Sequence, residues 1–326
     1  MAATAPPQHK STLAATRPAI ADTSFRFLTL GCGLVVLVVL GLIAVSSTNS
    51  ALPVFRHSGI GFFTSKTWNP GAGKFGALAF VYGTLVTSLI ALVVGVPVSI
   101  GIALVLSDVA PVRVRRPIIY LIDLLAAVPS VVFGLWGILV LADKLNRQYG
   151  HVDHLVRHIP VLGTLFGGGL HNGKSLLTAG LILALMITPI VTSLSREVFA
   201  TVPAAQKEAA LALGATRWEM IRGAVLPYGR SGVVGAVMLG LGRAMGETIA
   251  VALLIGSSPQ ITAHLFRSGD AMASVIANSF GETQRGSTYQ AALIGLGVVL
   301  FAITIVVNLT ARSVLSRSEK RLGAAL

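Results

Sequence analysis

"REVFATVPAAQKEAALALGATRWEMIRGAVLPYGRSG", residues 196–232, lies between two long apolar runs and resembles neither. Pro203 suits a first helical position and Gly214 the residue just past a helix end, which predicts an eleven-residue, alanine-rich helix. That is too short to cross a bilayer, which takes about 20 residues. Ala205, Ala209 and Ala212 recur at i, i+4 and i+7, a flat face that another protein surface can approach closely. Thr216 and Glu219 then have the spacing of a capping box opening a second helix. Trp218, Ile221 and Val225 line one side of it, and Pro227 ends it. A short helix, a sharp turn and a second helix fit either a docking element for another protein or an amphipathic elbow on a membrane surface. On the residues alone both readings stand.

The chain around this stretch is built for lipid. Of its 326 residues 54% are hydrophobic and 11% charged, with a mean hydropathy of +0.80, whereas soluble domains carry about a quarter charged residues. Six runs are long enough to span: 28–45, 78–106, 118–141, 176–194, 233–255 and 291–310. The second is over-long and carries Pro97, so a tilt, a kink or a start outside the hydrocarbon is expected; the third holds Asp123 near its start and Pro129 inside. The class is therefore all-α and polytopic. Its parts are a tail at 1–27, expected to be disordered, a first span at 28–45 and an outer loop at 46–77. A core with five spans follows at 78–311, interrupted by the loop 195–230, and a second tail occupies 312–326.

The net charge of +13 does not point to nucleic acid, because the basic residues are scattered between apolar runs. They read as topology signals. The N-terminal tail, the 107–117 loop, the 195–230 loop and the C-terminal tail hold 15 Lys and Arg, against 9 in the alternate loops. The excess places both termini in the cytoplasm. The first run, about 18 residues, exceeds a usual signal-peptide core and reads as a retained anchor. The single cysteine, Cys32, excludes an intramolecular disulfide and a Cys-based metal site, and reads as a small packing residue.

A second stretch, "GRAMGETIAV" at 242–251, places Arg243 and Glu247 four residues apart in a span. An ionisable residue at a span centre costs about 2.5–3.5 kcal/mol on insertion scales, so both are expected to face protein or water. On one helix they share a face and can pair. The pair is either a structural salt bridge or part of a translocation path, in which Arg243 lowers the barrier for an anion and Glu247 limits how tightly it sticks. Thr248 and Asp123 are candidates for the same cluster. "HVDHLVRH" offers His151, Asp153, His154 and His158, for which solvated loop histidines are the expectation rather than a metal site. Ser and Thr inside the spans are expected to bond backbone or neighbouring helices, and Gly31, Gly33, Gly235 and Gly240 to be close-packing points.

Glu208-Ala209-Ala210, Gly214 and Leu226-Pro227 together resemble the coupling motif of binding-protein-dependent ABC importer permeases, with Ala224 where that family usually has Ile. "FVYGTLVTSLIALVVGVPVSIGIALVLSDVAP", "LIDLLAAVPSVVFGLWG" and "GLGRAMGETIAV" resemble the phosphate-specific branch, and "GETIAV" sides with its PstC type rather than its sister PstA type. Asp123 stands where many relatives are expected to carry Glu.

The resemblance implies a PstA-like second permease subunit, two PstB-like ATPase subunits on the cytoplasmic side and an extracytoplasmic phosphate-binding protein, in a bacterial cytoplasmic membrane. It implies ATPase coupling through Glu208, Ala209, Ala210, Gly214, Leu226 and Pro227, and it adds weight to the reading, made from the residues, of a substrate path through Arg243 and Glu247 with Thr248 and Asp123 as candidates to join it. No G-x-x-x-x-G-K-[ST] loop occurs, so no cofactor is expected and ATP is the partner's substrate. Phosphate over another oxyanion rests on the resemblance alone. A secondary transporter or channel would need no docking loop and often carries inverted repeats. An intramembrane enzyme would need a nucleophile or facing acids, and only Asp123 and Glu247 offer a carboxylate pair.

Overall fold

The computed structural model describes residues 20–156, 158–167 and 173–323. Two compact units are present, residues 1–49 and 50–326. Helix α1 (Ile20–Ser58) starts inside the expected tail and reaches into the expected outer loop, 39 residues in all. Pro53 lies inside it without ending it, and the helix stops before Gly59, which takes φ +53°. The rest of the tail lies outside the described residues. Cys32, expected to pack, is exposed on α1.

One helical turn, α2 (Gly61–Thr64), leads to a two-strand hairpin. Its strands β1 (Trp68–Asn69) and β2 (Lys74–Phe75) are antiparallel, with Trp68 opposite Phe75. Helix α3 (Leu78–Leu104) continues as a π-helical segment, Val105–Val109. Next come α4 (Val112–Ala126) and α5 (Ser130–Trp136), then a π segment Gly137–Leu141, α6 (Ala142–Val156) and α7 (Pro160–Phe166). The long α8 (Leu176–Ala200) precedes the two short helices α9 (Ala204–Ala212) and α10 (Arg217–Met220). A π segment, Ile221–Val225, joins α10 to α11 (Leu226–Met245), which is followed by α12 (Ile249–Leu254), α13 (Met272–Ser279) and α14 (Thr288–Gly323).

Among the described residues five helices are long and apolar enough to cross a membrane, or six if one bent pair counts as a single broken span. Two expected spans are not single helices. The run 118–141 is split between α4 and α5, which meet at 93°. Pro129 causes this: it lacks an N–H, its ring excludes the carbonyl four residues back, and its extended ψ of 142° turns the chain before α5. The run 233–255 breaks between α11 and α12 at residues 246–248. Nor does Pro227 end a helix. The π segment before it widens the turn, so residues 217–245 run on as one element.

The core forms where α3 and α8 press together, and small residues permit it. A Cβ at Gly180 would fall 2.6 Å from Ile90, and one at Gly95 3.0 Å from Ile187. The hydroxyls behave as their sequence context suggests. Ser99 Oγ donates to the Gly95 and Thr188 carbonyls, Thr192 Oγ1 to the Ser99 carbonyl, and Thr84, Thr87 and Thr188 each to the carbonyl four residues back. Ser88 Oγ is buried without a partner. Of the four glycines expected at close contacts only Gly240 is one, against Val191; Gly31, Gly33 and Gly235 meet nothing within 4 Å.

Three apolar clusters divide the body. The central one joins α3, α5, α8, α11 and α12 through residues such as Leu183, Ile187, Ala244 and Leu254. A second gathers Val54, Phe62, Phe80, Met272 and Leu293 near the hairpin. A third lies under the short helices and holds Leu104, Phe199, Val202, Met220, Ile221 and Val225. Between the first two, the backbone of Asp270 rests on Gly83, where a Cβ would collide with the Asp270 carbonyl at 1.9 Å. The Asp270 side chain is buried, which pushes its carboxyl up to about 6, although the Ala271 N–H, donating to its Oδ1 at 2.8 Å, holds it partly down.

Candidate functional sites

The 203–227 stretch folds into a capped helix–turn–helix. Pro203 is the N-cap of α9 rather than its first residue. At the other end Gly214 takes φ +83°, its N–H donates to the Leu211 carbonyl, and the Ala215 N–H donates to the Ala210 carbonyl. That pair of bonds is a Schellman turn, which needs a residue tolerant of the left-handed region. Thr216 and Glu219 form the capping box in both directions: Thr216 Oγ1 accepts from the Glu219 N–H at 3.3 Å, and Glu219 Oε2 accepts from the Thr216 N–H at 2.7 Å.

The outward face carries Ala205, Glu208, Ala209, Ala212 and Gly214, all exposed, with Leu213 at 90% exposure and Trp218 at 61%. Trp218 therefore parts from Ile221 and Val225, which are buried in the cluster beneath. Three residues apart on a helix, Trp218 and Ile221 are offset by about 60°, which sets them on opposite sides of the burial boundary. Ala210 is half-buried on that cluster. Leu226 and Pro227, with Arg230, line a recess of about 460 Å³ at the start of α11.

The second candidate site is the break in the fifth span. Arg243 occupies the last turn of α11, while Glu247 and Thr248 lie in the break itself. The expected Arg243–Glu247 pair is absent: among the described residues the ion pairs are Arg196–Glu197 and Lys207–Asp108. The i, i+4 geometry fails because the helix stops at Met245. Glu247 instead turns forward, and its Oε1 accepts from the Ala250 N–H at 3.3 Å, satisfying a donor at the start of α12. Thr248 Oγ1 donates back to the Gly246 carbonyl.

Arg243 is exposed and lines a cleft of about 800 Å³ between α11 and α14, with Met238, Leu239, Asn308 and Arg312. Asp123 is exposed on α4, and no hydrogen bond or ion pair joins it to the other three. The structure thus brings Arg243, Glu247 and Thr248 to one helix break and leaves Asp123 on a separate element.

Neither the Lys207–Asp108 pair nor buried Asp270 was among the expected site residues. Lys207 and Asp108 are 99 residues apart, and no periodicity connects them. Among the described residues no three His, Cys, Asp or Glu side chains are placed to hold a metal. His151 and His158 are exposed, and the side chains of Asp153 and His154 lie outside the described residues.

Residues 95–323 match the model of the family described as "Binding-protein-dependent transport system inner membrane component". The chain is 43% identical over 309 residues to a protein of Mesorhizobium japonicum named "Phosphate transport system permease protein PstC", with 94% of each chain covered. It is 44% identical, with the same coverage, to the protein of that name from Xylella fastidiosa. A crystal structure of a bacterial ABC transporter involved in alginate import covers 91% of the chain and is itself covered to 98%, at 16% identity and a TM-score of 0.56, so it has a similar fold. A matched family model over most of the chain, relatives alike across nearly their whole length, and five to six apolar helices agree. The chain belongs to the inner-membrane permease family of binding-protein-dependent transport systems, in its PstC branch.

Proposed function

We propose that the chain is a permease subunit of an ATP-driven importer that moves inorganic phosphate across the bacterial cytoplasmic membrane. The observation that carries phosphate is the 43–44% identity, over 94% of the chain, to proteins named as phosphate transport permeases. In this reading a PstA-like subunit completes the path, two PstB-like ATPases dock from the cytoplasm and use the ATP, and a phosphate-binding protein delivers the anion outside. The chain itself holds no cofactor, and both its termini lie in the cytoplasm. Residues 203–227 form the docking element, with Glu208, Ala209, Ala210 and Gly214 offered outward and Leu226-Pro227 joining the element to the fifth span.

Arg243 is the anion's contact in the path. Exposure of a guanidinium on a membrane-crossing helix, without an acid beside it, supports this, since such a group needs water, an anion or a partner chain. What keeps the anion from being trapped is the position of Arg243 in the last turn of α11, where the negative end of the helix dipole offsets part of its charge. Glu247 and Thr248 shape the break that ends α11 there, and Asp123, exposed on α4, is a further path residue in this reading.

The test is reconstitution of the four components in liposomes. Uptake of radiolabelled phosphate should require both ATP and the binding protein and persist in excess sulfate. Uptake without ATP, or none with all components present, would overturn the proposal.

A further inference from the structure

By burial, α9 is an appendage. None of its nine residues is buried, and only Lys207 and Ala210 are partly covered. Ala210 rests on the apolar cluster formed by Leu104, Phe199, Met220 and their neighbours. Such contact is non-directional and lets one surface slide over another. Lys207 supplies the directional attachment. Its ammonium donates to Asp108 Oδ1 at 2.5 Å and to the Phe199 carbonyl at 3.4 Å. Asp108 lies in the π-helical end of α3 with its side chain 6% exposed, and its other oxygen, Oδ2, is buried without a partner. The Phe199 carbonyl belongs to the last turn of α8, where a cation is also favoured by the helix dipole. One ammonium therefore ties α9 to the ends of α3 and α8, the two helices pressed together through Gly95 and Gly180.

We propose that Lys207 and Asp108 are positioning residues that strap the docking helix to α3 and α8. A displacement of α9 by the ATPase then moves those two spans, where without the strap α9 would swing alone on its turns. The proposal rests on the docking reading of residues 203–227. The strap sets how much uptake accompanies each ATP hydrolysed, and it leaves ATPase attachment to the outward face of α9.

The experiment uses the complete importer in liposomes, with uptake and ATP hydrolysis measured on the same preparation. In Lys207→Gln and Asp108→Asn the ATPase should co-purify as with the parent chain. Hydrolysis should stay within about threefold, while uptake per ATP falls by about tenfold or more. Lys207→Arg keeps charge and reach and should retain most of the ratio. The exchange of Lys207→Asp with Asp108→Lys re-forms the pair and should restore at least about a third of it.

Parental uptake per ATP in both neutral variants would overturn the strap. Loss of the ATPase from either variant would do so too, because the pair would then serve docking. So would loss of the permease from the membrane in both, whether or not the exchange restores it, because these side chains would then serve folding. Gly214→Val separates the two readings. If it leaves coupling intact, the docking reading falls; if it uncouples while the Lys207 and Asp108 variants behave as the parent, the strap alone falls.

Discussion

Burial of one carboxylate, Asp270, predicts that the stability of this membrane protein falls as pH rises. Its pKa rises from 3.8 to about 6 on folding because burial disfavours the charged form. A raised carboxyl binds its proton more tightly in the folded state, so its contribution is most favourable below 3.8 and declines as pH rises through about 6. A rise of this size corresponds to roughly 3 kcal/mol at most. Asp270→Asn should therefore raise the melting temperature of the purified complex at pH 7–8, with the gain vanishing toward pH 4. An equal gain at both pH values would mean that ionisation is not the cause. The charges of the fifth span act differently from one another. Arg243→Gln should abolish phosphate uptake while the complex assembles and hydrolyses ATP. Glu247→Gln keeps an acceptor for the Ala250 N–H and should be close to neutral, whereas Glu247→Ala should cost about 1 kcal/mol, a lost helix cap. Melting curves on the two Glu247 variants check this. Equal losses would return Glu247 to a charge-pairing role.

At the scale of elements, the turn at Gly214 is the most exacting. A Cβ there meets no atom of this chain within 4 Å, yet the φ of +83° strains any L residue, and a β-branched one most. Gly214→Val should leave the protein in the membrane at normal abundance and uncouple uptake from ATP hydrolysis, which paired uptake and phosphate-release assays would read. Gly214→Asn, which tolerates the left-handed region, separates backbone strain from bulk in a partner's groove. This turn was legible in the sequence because its signals are local: Pro203, Gly214 and the Thr216–Glu219 spacing act within four residues of their targets. The number of crossings was legible too, since hydrocarbon thickness sets the length of apolar runs. The breaks were not. Hydropathy runs unbroken through residues 118–141 and 233–255, and whether Pro129 or Gly246 bends or ends a helix depends on what neighbouring elements then fill. A proline can also pass unnoticed, as Pro227 does behind a π segment. For the site, residue types were readable and pairings were not: Arg243 and Glu247 look like partners on a straight helix and are parted by its end.

For the molecule as a whole, the charge asymmetry between loops makes a prediction about sidedness. In a Cys32→Ala background, a cysteine at Lys66, which is exposed beside the hairpin, should react with an impermeant thiol reagent in intact cells. A cysteine at Arg217, exposed at the start of α10, should react only after the membrane is opened. The reverse pattern would put the docking element on the wrong side for an ATPase. The sparse attachment of α9 to its own protein bears on inheritance as well as mechanics. A helix that buries none of its residues can change its outward face without unfolding the body that carries it. In the proposed docking reading, substitutions at Ala205, Ala209 and Leu213 are then screened by a surface encoded in another gene. On that reading the two genes must accept changes together, and a permease paired with a foreign ATPase should fail at this face before it fails anywhere else.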